Sequence, residues 1–268
     1  MVRLDGTEGG IALSKVKVNK SELVSFIGGF GPGVNDLKME AKNNQLVAGV
    51  ALSTHFLQKA IVVEQIEGGE YIVSDIGKML AFLKACGNGD VELQQNLNGK
   101  NPELRVKCGN STITVPTTKE VQSVASLEAA GRLVQQAGES NWTEFAGTSL
   151  SGYAVVDVAD MLSVVSLGKV VGSDQPYNFS FIPKQSKAVI NCGKAHTGNI
   201  YHAFDLMDAK EDDGNVLGSQ FGPWFTEVIS TLPLGKAEIY TGDNAVLVFN
   251  HQEKDCLLVV IDQRPDEE

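Results

Sequence analysis

Apolar and polar residues alternate along Lys15-Val16-Lys17-Val18-Asn19-Lys20, the two-residue period of a strand with one buried face. Ser21 follows as the expected cap of a helix over Glu22-Leu23-Val24-Ser25-Phe26-Ile27, which stops at Gly28-Gly29. After Pro32-Gly33, strand-like runs cover 36–41, 45–51, 60–66 and 70–73, with Asn43-Asn44 and Gly68-Gly69 as turns. The period then changes. Asp75 is placed to cap a helix over 76–86, with Ile76, Met79, Leu80 and Leu83 on one face and Gly87 as its stop. Three further strands are predicted over 90–94, 103–108 and 111–115.

From Pro116 to about Ser140 the chain turns rich in Ala, Val, Ser and Gln and reads as a connector. Beyond it the order of the first half returns. Residues 153–156 are strand-like, Asp157 is placed to cap a helix over 158–165, and strands are predicted over 179–182, 188–191 and 199–207. The acidic segment Lys210-Glu211-Asp212-Asp213-Gly214 reads as a loop. Ser219 or Gly222 then opens a helix over 223–230, before strands over 236–240, 245–249 and 256–261. Residue identities repeat poorly, but the order of elements repeats well, and a duplicated unit is the economical explanation. The expected organisation is one unit over 1–118, a connector over 119–142 and a second unit over 143–268.

The bulk properties narrow the function less. A 268-residue chain with 43% hydrophobic and 21% charged residues describes a folded protein with room for two ordinary domains. No apolar run approaches the roughly 20 residues of a membrane span, and the N-terminus has no signal-peptide core, so an intracellular location is expected. Cys86, Cys108, Cys192 and Cys256 are too scattered for a disulfide framework or a zinc module and read as small buried hydrophobes. Cys192-x3-His196-x5-His202 fits no standard zinc spacing, and Glu211-Asp212-Asp213 lacks the alternating ligands of a calcium loop. Gly28-Gly29-Phe30-Gly31-Pro32-Gly33 lacks the Lys-Ser/Thr of a phosphate loop, and no Gly-x-Ser-x-Gly or paired-carboxylate pattern stands out. Neither catalysis nor a cofactor finds support. A net charge of −11 argues against a monomer that grips DNA by charge alone, but not against a ring whose few lysines line its hole.

Four local stretches carry a resemblance. They are Leu52-Ser53-Thr54-His55-Phe56-Leu57, Ile76-Gly77-Lys78-Met79-Leu80 running to a Gly-x-x-Asp-Val turn, Leu232-Pro233-Leu234, and the end from Val260 through Pro265 to the acidic Asp266-Glu267-Glu268. With the element order from about Lys15 to Pro265, they resemble the two-domain DNA sliding clamps of the proliferating cell nuclear antigen family, in a divergent form of viral or archaeal type. The longer Ala/Gln-rich connector and the thin lysine complement of the second half depart from that pattern.

The resemblance implies an α+β fold of two tandem clamp domains, with antiparallel sheets outside and helices lining the interior of a ring. It implies a non-enzymatic homotrimer that encircles duplex DNA without reading its sequence, is placed there by a clamp loader and acts as a processivity factor for a DNA polymerase. Lys20, Lys78, Lys84 and Lys169 are the implied DNA-facing residues. His55, Leu57, Pro233 and Pro265, with Val124 and Leu127 on the connector, are the implied lining of a hydrophobic groove for partner peptides. The competing reading is a non-enzymatic β-rich structural or virion assembly protein. Such a protein shares the short strands and turns but needs no internal duplication with four short helices.

Overall fold

The computed structural model describes residues 14–31, 33–97, 102–117, 144–145, 148–170, 175–194, 198–211, 213–243 and 245–261. The first eleven elements are β1 (Ser14–Asn19), α1 (Lys20–Gly28), β2 (Leu37–Lys42), β3 (Gln45–Ala51), β4 (His55–Val62), β5 (Glu64–Glu67), β6 (Gly69–Val73), α2 (Ile76–Ala85), β7 (Asp90–Asn96), β8 (Glu103–Cys108) and β9 (Ser111–Pro116). A two-rung hairpin follows, β10 (Glu144–Phe145) and β11 (Thr148–Ser149). Then come β12 (Gly152–Asp157), α3 (Val158–Leu167), β13 (Tyr177–Ile182), β14 (Lys187–Lys194), β15 (Gly198–Asp205), β16 (Met207–Glu211), β17 (Leu217–Phe221), α4 (Phe225–Ile229), β18 (Lys236–Thr241), β19 (Leu247–His251) and β20 (Cys256–Val260).

The run β1 to β9 and the run β12 to β20 have one and the same order: strand, helix, five strands, helix, three strands. The pairings repeat as well. β5-β1-β7-β8-β9 in the first repeat corresponds to β16-β12-β18-β19-β20 in the second, and β4-β3-β2-β6 corresponds to β15-β14-β13-β17. All these ladders are antiparallel. The two repeats are joined edge to edge, because β20 pairs with β4 and turns five strands of one repeat and four of the other into a single nine-stranded sheet.

Local chemistry explains the helix starts. Asp75 Oδ1 accepts from Lys78 N at 2.8 Å and Asp157 Oδ1 accepts from Ala159 N at 2.8 Å, as expected of both caps. The first helix starts earlier than the expected Ser21 cap. Asn19 Oδ1 takes the amides of Ser21 and Glu22, and Ser21 sits inside the first turn. The last helix shrinks to five residues, and Ser219 lies in a strand, β17, that sequence periodicity did not suggest. Lys210 and Glu211 extend β16 where a loop was expected, and the expected strand 60–66 is split at Val63 between β4 and β5.

Each helix buries one stripe on the same core. Leu23, Phe26 and Ile27 of α1, Ile76, Met79 and Leu83 of α2, Val158, Met161, Val164 and Val165 of α3, and Phe225, Val228 and Ile229 of α4 all pack there. Each such side chain, fully buried, contributes about 1.5–3 kcal/mol of transfer free energy. In the second repeat Phe221 and Phe225 stack with centroids 4.6 Å apart, and Tyr177 Oη shares a 2.6 Å hydrogen bond with Thr226 Oγ1, tying β13 to α4. In the first, the buried Gln95 amide does similar work: Oε1 accepts from Ile72 N, and Nε2 donates to Glu103 O at 2.8 Å.

Candidate functional site

The side of the sheets that carries the four described helices offers one candidate surface. Lys78 and Lys84 lie exposed on α2, and the side-chain ammonium of neither takes part in a hydrogen bond or ion pair among the described residues. Lys20 is different, because its Nζ donates to Cys86 O at 2.9 Å and so ties the start of α1 to the end of α2. Lys169 falls in the 3-10 turn Gly168–Val170 that closes α3. The exposed acids on the same elements are Glu22 on α1, Asp160 on α3 and Glu227 on α4. The helix face therefore carries mixed charge, with its unpaired described lysines concentrated on α2.

A second surface lies on the opposite face of the nine-stranded sheet. Because β4, β18, β19 and β20 are apolar at successive positions, they bury side chains on both faces. Leu57, Ile239, Leu247, Phe249 and Leu258 point into the helix-side core, while Phe56, Tyr240, Val248, Leu257 and Val259 form a separate cluster with Leu150 and Ala245. Tyr153 and Val246 pack on this cluster while half-exposed, and the Tyr153 and Tyr240 rings lie 5.2 Å apart.

This arrangement separates the residues expected to line one groove. Leu57 is fully buried in the helix-side core, so its neighbour Phe56, not Leu57, belongs to the outer cluster. The physical reason is the strand period: one residue along β4 exchanges the two faces. His55, at the start of β4 opposite Val260, is 4% exposed, with Nδ1 2.9 Å from Thr54 Oγ1 and no partner for Nε2. Burial lowers its pKa below the usual histidine value. Pro233 lies at the other end of β4, on the rim of a cleft of about 470 Å³ bounded by Phe26 of α1, Lys59, Ile61 and Val62 of β4, and Lys254 and Cys256 of the β19–β20 hairpin. Val124, Leu127 and Pro265 lie outside the described residues. Sequence reading missed Phe56, Tyr240, Ala245 and Val248, although the unbroken apolar run Cys256-Leu257-Leu258-Val259-Val260 signals a strand buried on both faces.

Lys59 floors this cleft and was also missed. It sits opposite Cys256 in the β4–β20 ladder, and its ammonium donates to Gly29 O and to Thr231 O, both at 2.6 Å. Gly29 closes α1 and Thr231 follows α4, so one side chain satisfies the carbonyl ends of helices from both repeats. Its Nζ also lies 5.8 Å from the centre of the Phe30 ring. Burial lowers the Lys59 pKa, and burial pushes the adjacent Cys256 thiol up to about 11.

Among the described residues no group of three His, Cys, Asp or Glu side chains is placed to hold a metal ion. Cys192 is buried on β14, with its thiol directed at Gly168 O, while His202 is exposed on β15. No described helix is long and apolar enough to cross a membrane.

No family model matches the sequence, and no curated protein matches it by sequence. Solved structures do match the architecture. A Eubacterium rectale chain assigned as a DNA polymerase III beta subunit aligns over 94% of this chain and 66% of its own length, with a TM-score of 0.71 and 10% identity. The DNA polymerase III beta subunit of Thermotoga maritima aligns over 99% of this chain and 68% of its own, with a TM-score of 0.69 and 14% identity. Archaeoglobus fulgidus PCNA, bound to the C-terminal region of FEN-1, aligns over 95% of this chain and 100% of its own, with a TM-score of 0.67 and 12% identity. The chain thus spans about two thirds of the bacterial clamp chains and the full length of the archaeal one. At this identity the likeness speaks for architecture: the chain has the α+β sliding-clamp fold, in its two-repeat form.

Proposed function

We propose that this protein is a DNA polymerase sliding clamp, a non-catalytic processivity factor that closes as a homotrimer around duplex DNA. The observation that carries the reading is the exact repetition of one nine-strand, two-helix unit over the length of a PCNA chain, with all four described helices on one side. Three two-repeat chains in cyclic symmetry make a ring of six such units. The helices then face the hole and the sheets face outward. Retention on DNA in such a ring is topological, so strong phosphate contacts are unnecessary and would slow sliding. The mixed charge of the helix face, with Lys78 and Lys84 as its free described cations, suits that requirement.

In the same reading the units are 1–118 and 143–268, with 119–142 as the connector. The outer cluster around Phe56, Tyr153, Tyr240 and Val246 is the docking area for peptides of a polymerase, a clamp loader and other replication proteins, held by an apolar plug plus strand-like pairing. The A. fulgidus protein holding a FEN-1 segment supports this by analogy of fold. An intracellular location follows from the role.

The test has two parts. The native mass should equal three times the 28.7 kDa chain at micromolar concentration. Protein placed on nicked circular DNA should stay bound through high-salt washing and slide off once the circle is linearised. A strict monomer, or retention that is equal on circular and linear DNA, defeats the proposal.

A further inference from the structure

All four cysteines are free thiols in the structure, and two of them meet. Cys86 is the C-terminal cap of α2, and Cys108 is the last residue of β8. The connection from α2 to β7 is only Cys86-Gly87-Asn88-Gly89, and Val91 of β7 pairs with Cys108. This short turn folds the helix end back against the end of β8. Both side chains pack on the same core, Cys108 buried and Cys86 half-buried at its margin. The Cys108 thiol lies 3.7 Å from Gly87 O and within hydrogen-bonding reach of the Cys86 thiol. The other two thiols keep different company: Cys192 lies against Gly168 O and Tyr177, and Cys256 against Lys59.

The duplication shows that the fold does not require sulfur at these places. In the second repeat the cap of α4 is Ser230, and the connection onward to β18 is longer, running from Ser230 to Gly235. Cys108 stands opposite the first residue of β9, and its counterpart His251 stands opposite the first residue of β20. The paired thiols are thus a property of the first repeat alone.

A cation completes the group. Lys20 Nζ, 2.9 Å from Cys86 O, places a positive charge beside the two thiols. Burial pushes the Cys108 thiol up, the hydrogen bond and charge of Cys86 add to that, and Lys20 acts in the opposite sense. Cys86 is the more exposed of the two and meets a solute first. Once Cys86 has reacted, its part of the upward push on Cys108 disappears while Lys20 remains, so the second thiolate forms more readily.

We propose that Cys86 and Cys108 are a reversible oxidation site, a dithiol that a small disulfide of the glutathione class closes to an intrachain disulfide, locking the end of α2 to β8. In the first step the Cys86 thiolate attacks one sulfur of the oxidant. The oxidant's S–S bond breaks, a mixed disulfide forms, and the expelled thiolate takes up the proton that Cys86 gave up. In the second step the Cys108 thiolate attacks the Cys86 sulfur, the mixed disulfide breaks, and the second small thiol leaves with the proton from Cys108. Two protein thiols are oxidised and one disulfide is reduced to two thiols. Gly87 and Gly89 have no atom within 4 Å of where a Cβ would stand, so the connection is free to follow the sulfurs as they close. In a reducing compartment such a bond is transient, which suits a sensor and not a structural staple. The site needs only the fold of the first repeat and goes beyond the clamp reading.

The test treats the full-length protein with glutathione disulfide, alkylates the remaining thiols and digests with trypsin. Cleavage after Lys84, Lys100 and Lys107 puts the two cysteines on separate peptides, so the disulfide is read as their joined mass, and dithiothreitol should part them. Cys192 and Cys256 should be alkylated as in the untreated protein. Cys108→Ser should stop at the first step and hold at least about tenfold more glutathione on Cys86 than the parent does. In the oxidised parent, amide exchange at Cys86 and Gly87 should slow by at least about tenfold. A parent that keeps glutathione on Cys86 with Cys108 free, one that leaves both thiols unreacted, or one that joins these cysteines only between chains overturns the site. Unchanged exchange at the helix end overturns the lock. None of these readouts depends on oligomeric state, so failure of the ring and failure of the dithiol are told apart.

Discussion

Lys59→Met is the substitution that most directly probes how the two repeats are held together. Methionine keeps the apolar stem beside Phe30 but removes the ammonium, and with it the 2.6 Å hydrogen bonds to Gly29 O and Thr231 O. Hydrogen bonds involving a charged group contribute about 1.5–3 kcal/mol each. Against this stands the cost of holding an ammonium away from water, which is visible in its lowered pKa. Part of each carbonyl can also be rescued by water entering the cleft. Taking the lower end of the range for both bonds and subtracting about 1 kcal/mol for relief of desolvation leaves a net loss of about 2 kcal/mol. Urea unfolding followed by circular dichroism reads this directly, and a lower midpoint with unchanged slope is expected. Because the bonds span β4, α1 and α4, hydrogen exchange should quicken at the ends of both helices together. A loss below about 0.5 kcal/mol, or quickened exchange at one helix alone, would show that Lys59 does not bridge the repeats.

Four further outcomes are expected. Asp157→Ala removes the cap on Ala159 N and should cost about 1 kcal/mol, measured by the same unfolding assay. Gly168→Ala places a methyl group on the Tyr177 ring, within 2.6 Å of Oη, Cε1 and Cζ, so the Tyr177–Thr226 hydrogen bond should break, with a loss of about 1–3 kcal/mol and an altered near-ultraviolet tyrosine signal. His55 has a folded pKa below 6.5, so the unfolded chain binds its proton first; stability is fully present above 6.5 and declines as pH falls from there to the folded value, and His55→Gln should flatten that part of the curve. Lys78→Ala together with Lys84→Ala should weaken placement on DNA most at low salt, the difference from the parent shrinking as salt is raised, while the unfolding free energy moves by less than about 0.5 kcal/mol; unchanged loading at every ionic strength rejects a DNA-facing role.

Much of the architecture was already written in local patterns. Two-residue alternation located β1, β7, β8 and β12, and the aspartates at 75 and 157 marked two helix starts that the structure confirms to the residue. The repeated order of these elements was enough to suggest duplication. Short-range signals failed where competing donors or short apolar runs were involved. Asn19 out-competes Ser21 for the free amides of α1, and Leu217–Phe221 is too short and too close to an acidic segment to declare itself as a strand.

What the tertiary structure alone decided is partnership. A strand's sequence sets which residues share a face, but its backbone donors and acceptors are the same as any other strand's, so nothing local says that β20 must find β4, 200 residues away in the chain. That pairing turns Phe56 outward and Leu57 inward, and it sends His55 and Pro233 to opposite ends of one strand. It also converts Lys59, an ordinary polar position in the alternation of β4, into a partly buried cation that binds two helix ends. Burial and long-range hydrogen bonding are properties of the assembled sheet, and the periodicity of the chain carries no record of them.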